Sequence, residues 1–173
     1  MKTVKRTTWM VAAVLVGLVS AGFATAGDAP TAEEQVNGLV EMCAATEDAR
    51  VARQTEEPLY FRLGEYDGVH ALTTEVIRLH SVNPDFERFW GDIDEQKLIA
   101  NLDDFISTGT GGPMGYEGRD MPSAHAHLEL SNADFLSAGG DVMAGMQNLG
   151  YGEAEIQEFV CILVSMKDLV ITK

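Results

Sequence analysis

Apolar residues recur at helical spacing along most of the chain, and no stretch alternates between apolar and polar residues as a half-buried strand does. Where the repeat is clear, apolar side chains three or four positions apart form one face of a helix. Four segments show it best: 69–79, 98–106, 135–149 and 156–170. The pattern predicts an all-α protein whose helices are joined mostly by short connections.

Residues that commonly cap helices precede these segments. Asp67 stands before the first, either Asp92 or Asp94 before the second, and Ser131 with Asp134 forms a capping-box pattern before the third. Asn83-Pro84 ends the first segment, because proline cannot continue a helix. The second segment ends in a glycine-rich run, which predicts a long irregular loop before residue 121.

The region before Pro58 has a different character. Between Thr31 and Glu57 the chain is highly charged, and its apolar positions are spaced as one helix face only as far as Cys43. We expect an N-terminal extension over 27–57, made of one helix followed by a solvated linker. The compact domain is expected to begin at Pro58 and to span 58–173.

The first 26 residues read as an export signal. Lys2, Lys5 and Arg6 precede an apolar stretch from Trp9 to Ser20, and Ala24-Thr25-Ala26 is a small-x-small cleavage pattern. The sequence predicts a signal peptide over 1–26 and a periplasmic or secreted protein. An uncleaved membrane anchor is the alternative.

Charge excludes some partners. The formal net charge of −15 becomes −18 once the three basic residues of the leader are removed. Such an acidic chain is not expected to bind nucleic acid or anionic membranes. Cys43 and Cys161 are the only two cysteines. In an oxidising compartment they could form a disulfide, and sequence leaves that pairing and two buried thiols equally open.

The run MPSAHAHLEL, residues 121–130, carries two histidines two positions apart. On a helix, His127 points about 160° away from His125, so the two cannot share a metal ion. His125 lies on the apolar face with Met121 and Leu128, and His127 is expected to face water. A lone inward histidine is most often a core residue bonded to a carbonyl, so the residues alone leave metal binding open.

Four sequence segments, in order along the chain, resemble the motifs of one known protein family. The run GGPMGYEGRDMPSAH, residues 111–125, is similar to the signature of group I truncated haemoglobins, which ends in the iron-binding histidine. PLYFRLGEYDGV resembles the opening of that family, ERFWGDID its aromatic corner, and HLELSNADF the approach to its next helix. The resemblance extends from residue 58 to about residue 171.

The resemblance implies a truncated 2-over-2 globin fold, here with an extra N-terminal helix, and a haem b cofactor whose iron is bound by His125. It implies that Lys97 and Arg119 lie near the haem propionates and that the aromatic and apolar positions surround the porphyrin. The haem-contacting positions implied besides His125 are Ile77, Phe89, Trp90, Lys97, Leu98, Asn101, Leu102, Phe105, Tyr116, Arg119, Met121 and Leu128.

The chain departs from the family above the iron. The tyrosine that holds bound oxygen in relatives is matched by Ile77, and the glutamines are matched by Leu98 and Leu102, with Asn101 the nearest polar position. Losing a hydrogen bond of roughly 1 kcal/mol, or up to about 3 kcal/mol if charge-assisted, speeds oxygen release about tenfold or more. We therefore expect weak oxygen retention.

Three functions follow in order of preference. The first is reversible binding of a diatomic gas (O2, CO or NO), with at most weak nitric oxide dioxygenase or peroxidase-type activity. The second is a six-coordinate haem protein for electron transfer or redox sensing, with a redox partner and with His80 as the second iron ligand. The third is a haem-free helical domain with an acidic binding surface. Sequence specifies neither the physiological ligand nor the oligomeric state.

Overall fold

The computed structural model describes residues 29–91 and 93–173. The predicted signal peptide over 1–26 lies outside the described residues, as does Asp92. The described part of the chain is helical, without a β-strand, as the pattern predicted. Its α-helices are α1 (Ala32–Ala45), α2 (Glu47–Glu56), α3 (Leu59–Arg62), α4 (Glu65–Val82), α5 (Glu87–Trp90), α6 (Glu95–Gly109), α7 (Met121–His125), α8 (Asn132–Asn148), α9 (Glu153–Ser165) and α10 (Lys167–Val170).

Side-chain caps fix where several helices begin. Asp94 accepts a hydrogen bond from the Lys97 amide at 3.1 Å and starts α6. Ser131 and Asp134 form a reciprocal capping box at α8, as predicted. These bonds satisfy amides that have no partner within the helix.

The start of α4 was predicted at Asp67 and lies instead at Glu65. The reason is a close approach between backbones. A Cβ on Gly68 would lie 1.8 Å from the Leu63 carbonyl oxygen, so only glycine lets α4 start this near to α3. The Tyr151 hydroxyl donates to that same oxygen at 2.7 Å, which ties the junction to the segment before α9.

Two helix pairs form the body of the molecule. Helix α4 packs against α6, α8 packs against α9, and α4 also contacts α8. The core between them is built from fully buried apolar side chains. Its innermost members are Leu59, Leu63, Val69, Leu72 and Met146. Within the described residues, no helix is long and apolar enough to cross a membrane.

The N-terminal extension differs from the prediction, because its second half is helix α2 and not a solvated linker. The polar side chains of α2 bind the body of the molecule. Arg53 Nε lies 3.3 Å from Glu158 Oε2 on α9, and Gln54 Oε1 accepts from the Leu59 amide at 2.8 Å. The extension thus contributes two packed helices, α1 and α2, where one was expected.

A disulfide fastens the extension to the body. Cys43 on α1 is bonded to Cys161 on α9, which closes the question that sequence left open. Helix α1 packs against both α8 and α9, and Cys43 is buried with Val160 and Val164. The extension is therefore part of the folded domain.

Beyond α7 the chain tightens into a 3₁₀ turn over Ala126–Leu128. Leu130 then forms a parallel bridge with Ile171, and its carbonyl accepts hydrogen bonds from the Thr172 and Lys173 amides at 2.9 and 3.1 Å. The end of the chain thereby holds the segment that follows His125.

Candidate functional site

A cavity of about 500 Å³ lies between the two helix pairs. Its size is within the range of small-molecule and cofactor sites. Side chains from α4, α6, α7, α8 and α9 line it, and nearly all of them are apolar. Leu39 of α1 completes the wall, so the N-terminal extension contributes to the site itself.

His125 lies in the wall formed by α7. Asp120 starts this helix by accepting a hydrogen bond from the Ser123 amide at 2.8 Å. The His125 ring places Nδ1 2.9 Å from the Met121 carbonyl oxygen. A carbonyl only accepts, so Nδ1 carries the proton of the neutral ring and Nε2 carries a lone pair. This arrangement is typical of a histidine that binds a metal ion.

The two histidines of this segment face opposite ways, as predicted. His125 is half-buried and lines the cavity with Met121, whereas His127 is exposed. His127 instead borders a shallow second cavity of about 350 Å³ at the surface. Of these two histidines, only His125 can therefore bind a group placed in the main cavity.

A second imidazole lies in the same cavity wall, on α4. His80 Nδ1 is 2.7 Å from Asp141 Oδ2 on α8, and Asn83 Nδ2 donates to the same oxygen at 2.9 Å. The ring stacks on Phe86 with centroids 4.5 Å apart. His80 was predicted as an alternative iron ligand, and its placement in this wall is compatible with that role.

The other polar side chains of the wall are already bonded to the protein. Thr73 Oγ1 donates to buried Asp103, and Thr110 Oγ1 donates to the Ile106 carbonyl at 2.7 Å. Burial alone would raise the pKa of Asp134, but hydrogen bonds from Ser131 and Arg88 lower it. Among the described residues that line the cavity, no side-chain donor is left free for a ligand.

Only some of the positions predicted to lie above the iron line the cavity. Ile77 and Leu102 line the cavity, and Phe105 lines it beside them. Leu98 is half-buried but does not reach the cavity, and Asn101 is exposed. The part of the wall formed by α4 and α6 is thus hydrocarbon, apart from His80 and the bonded threonines.

The remaining predicted positions lie around this centre. Phe89 and Leu128 border the second cavity, and the Arg88 guanidinium lies 4.3 Å from the centroid of the Phe89 ring. Trp90 is half-buried, and its Nε1 donates to Glu95 at 3.2 Å. Phe89 and Trp90 thus lie next to the cavity and do not line it.

Three more positions belong to the loop before α7 and the start of α6. Tyr116 packs edge-on against Phe105 at 5.1 Å, and its hydroxyl donates to the Arg119 carbonyl at 2.8 Å. Lys97 and Arg119 are exposed. The structure therefore brings His125, Met121, Ile77, Leu102 and Phe105 together, and it leaves the other eight predicted positions outside the cavity lining.

Several lining residues were not predicted as site residues. Phe135 and Met143 belong to α8, Phe86 to the aromatic corner, and Leu39 to the extension. Phe135 could have been found from its place on the apolar face of its helix. Leu39 could not, because its contribution depends on how α1 docks.

Comparisons with known proteins agree with this architecture. No family model matches the chain. The group 1 truncated hemoglobin of Tetrahymena pyriformis is 24% identical over 102 residues, which are 59% of this chain and 84% of the relative. The similarity is therefore spread over most of the relative's length.

Solved structures show the same fold. The crystal structure of the Fe(III) truncated hemoglobin from Tetrahymena pyriformis has a TM-score of 0.65 and 22% identity, and it covers 68% of this chain and 100% of its own. The 2/2 hemoglobin of Synechococcus sp. PCC 7002, in the cyanomet state with covalently attached heme, has a TM-score of 0.63 and 24% identity, and it covers 67% and 99%.

The chain has the all-α fold of the 2/2 truncated globins, as predicted. Helix α1 of the N-terminal extension reaches the cavity through Leu39. The sequence is also similar to a group 1 truncated hemoglobin over 102 residues.

Proposed function

We propose that the protein is a haem-binding globin of the cell envelope that reversibly binds a diatomic gas and retains oxygen weakly. The observation that carries the proposal is His125. It lies in the wall of an apolar cavity with Nδ1 bonded to the Met121 carbonyl, which leaves Nε2 unprotonated and able to bind a metal ion. The relatives named above are truncated hemoglobins, one with attached heme.

The residues of the cavity fit a haem. His125 would bind the iron, and Met121 and Phe105 would contact the porphyrin. Lys97 and Arg119, both exposed, are proposed to pair with the propionates, where a surface ion pair contributes only modestly. A haem b held there would supply an iron atom that can bind a small ligand.

Weak oxygen retention is proposed because donors are missing. Bound oxygen is stabilised by a hydrogen bond donated to it, and the lining residues described above have no free side-chain donor. Carbon monoxide and nitric oxide depend less on such a donor. The same absence weakens the case for nitric oxide dioxygenase activity, which needs a stable oxygen complex first.

The envelope location is proposed from two features. The leader at 1–26 has the pattern of an export signal. The Cys43–Cys161 disulfide is typical of oxidising compartments such as the periplasm or the extracellular space.

A second function is favoured by the position of His80. Its ring lines the same cavity as His125, so it is a candidate for the second ligand of a six-coordinate iron in electron transfer or redox sensing. Absorption spectra of the purified ferrous protein separate the functions. A high-spin spectrum supports gas binding, a low-spin spectrum lost in His80→Ala supports the second function, and a protein that takes up no haemin refutes both.

A further inference from the structure

The carboxylate of Asp141 determines which nitrogen of His80 carries the proton. An ionised carboxylate only accepts hydrogen bonds, so His80 Nδ1, at 2.7 Å from Oδ2, must be the donor in the neutral ring. Asn83 Nδ2 donates to the same oxygen at 2.9 Å and holds the carboxylate in place. His80 and Asp141 side chains are 16% and 17% exposed, so water competes little with this contact.

The proton on Nδ1 determines the hydrogen-bonding role of the other ring nitrogen of His80, Nε2. Nε2 of a ring protonated at Nδ1 is a hydrogen-bond acceptor. Within the part of the chain that the structure describes, Nε2 has no hydrogen-bond partner, while the ring lines the cavity and stacks on Phe86. The ring nitrogen of this lining residue that is left without a partner is therefore an acceptor, whereas relatives with a distal tyrosine carry a donor.

We propose that His80, oriented by Asp141 and Asn83, makes this cavity selective for small ligands that carry a proton, such as hydrogen sulfide, hydrogen peroxide or hydroxylamine. This inference rests on the proposed haem-binding function. A ligand with an S–H, O–H or N–H group can donate to Nε2, and a ligand that only accepts finds no partner there. Oxygen, an acceptor, belongs to the second class.

An isosteric exchange tests the direction of this hydrogen bond. In the double variant Asn83→Asp/Asp141→Asn the carboxylate moves to position 83, and the side-chain shapes and the net charge stay the same. The new carboxylate accepts from one hydrogen of the amide at position 141, whose other hydrogen donates to His80 Nδ1. The ring must then carry its proton on Nε2 and becomes a donor towards the cavity.

The single variant Asp141→Asn is the matched control. In this variant Asn83 still donates to the side chain at position 141. The new amide is therefore favoured with its oxygen, and not its nitrogen, towards Asn83. That oxygen accepts from His80 Nδ1 as the carboxylate did, so the single variant loses the charge and keeps the tautomer. Thermal melts of all three proteins verify that each is folded.

Two probes of the ferric haem protein report the difference. Fluoride only accepts, and hydrogen sulfide retains an S–H proton when bound. We expect the double variant to bind fluoride about tenfold more tightly than the wild type, because fluoride gains a hydrogen-bond donor. We expect it to bind sulfide about tenfold more weakly, because the S–H group loses its acceptor. The single variant should differ from the wild type by less than about threefold for both.

A spectroscopic readout is independent of ligand affinity. In the diamagnetic ferrous carbon monoxide complex, ¹⁵N NMR of His80 should show protonation at Nδ1 in the wild type and at Nε2 in the double variant. Protonation at Nε2 in the wild type overturns the proposal, as do fluoride and sulfide affinities that change in the same direction or not at all. A low-spin ferric spectrum that disappears in His80→Ala also overturns it, because His80 then binds iron itself.

The same experiments give a different result if the protein does not bind haem at all. A protein that incorporates no haem gives no Soret band in any variant, and the inference then falls together with the function on which it rests. If the double variant has a normal Soret band but its His80 carries the proton on the same nitrogen as in the wild type, haem binding is supported and only the proposed role of His80 is refuted.

Discussion

The two histidines of the cavity wall are held by different acceptors, and the difference separates their roles. His125 Nδ1 donates to a backbone carbonyl four residues earlier, within its own short helix. His80 Nδ1 donates to a carboxylate 61 residues away, on another helix. The local carbonyl fixes the His125 ring through the fold of α7 alone, whereas the Asp141 contact makes the orientation of His80 depend on how α4 and α8 pack.

The largest effect is expected from removing the proposed iron ligand. His125→Ala should abolish haem incorporation, because no other imidazole with a free Nε2 lies in the α7 wall, and His127→Ala should leave it intact. The haem-to-protein ratio measured after reconstitution with haemin compares the two. Equal haem content in both variants would refute the assignment of His125.

The disulfide is expected to have the next largest effect. Replacing both Cys43 and Cys161 by Ser should lower the free energy of unfolding by about 3–5 kcal/mol, because the bond closes a loop with a sequence separation of 118. Since Leu39 of the same helix lines the cavity, haem affinity should also fall. Chemical denaturation and haem transfer to an acceptor protein measure the two effects. Unchanged stability would mean that α1 docks without the bond.

Sequence predicted the helical wall of the site well and its long-range contacts poorly. The opposite facing of His125 and His127 follows from helical geometry, which is local. Helix α2 was missed because ion pairs such as Arg53–Glu158, 105 residues apart, stabilise it where apolar periodicity is absent. The cysteine pairing depends on a Cα–Cα distance of 5.5 Å, and no spacing in the sequence encodes that distance.

The same limit applies within the cavity. Ile77 and Leu102 were placed by matching the family motifs, and the structure puts both in the wall. Leu98 was placed by the same register but does not line the cavity. Asp141 could not be recognised, because an aspartate on a helix is usually a solvated surface residue and only packing brings it to His80.

A donor added to the part of the cavity wall formed by α4 should strengthen oxygen binding. Ile77→Tyr places a hydroxyl in the cavity wall, and one hydrogen bond to bound oxygen should slow its release about tenfold. Ile77→Phe is the matched control, because it adds the ring without the hydroxyl. Stopped-flow oxygen dissociation measures the rates. Equal rates in the two variants would show that the hydroxyl does not reach the ligand.

The smallest expected effect distinguishes the two carboxylates of α8. Asp134 lines the cavity, but its partners are Ser131 in its own capping box and Arg88. Asp134→Asn should therefore lower stability by about 1 kcal/mol and leave the fluoride and sulfide affinities unchanged, in contrast to the Asn83→Asp/Asp141→Asn exchange. Denaturant melts and ligand titrations on the same samples measure both properties.

The stability lost in Asp134→Asn should depend on pH in one direction. Because the folded-state pKa of Asp134 lies below its ordinary value of 3.8, its contribution is full well above pH 3.8 and is lost as the pH falls through the folded-state pKa. The difference in unfolding free energy between wild type and Asp134→Asn should therefore be constant near neutrality and shrink below about pH 4. A difference that grows on acidification would show that Asp134 is strained in the folded protein and that its partners do not stabilise it.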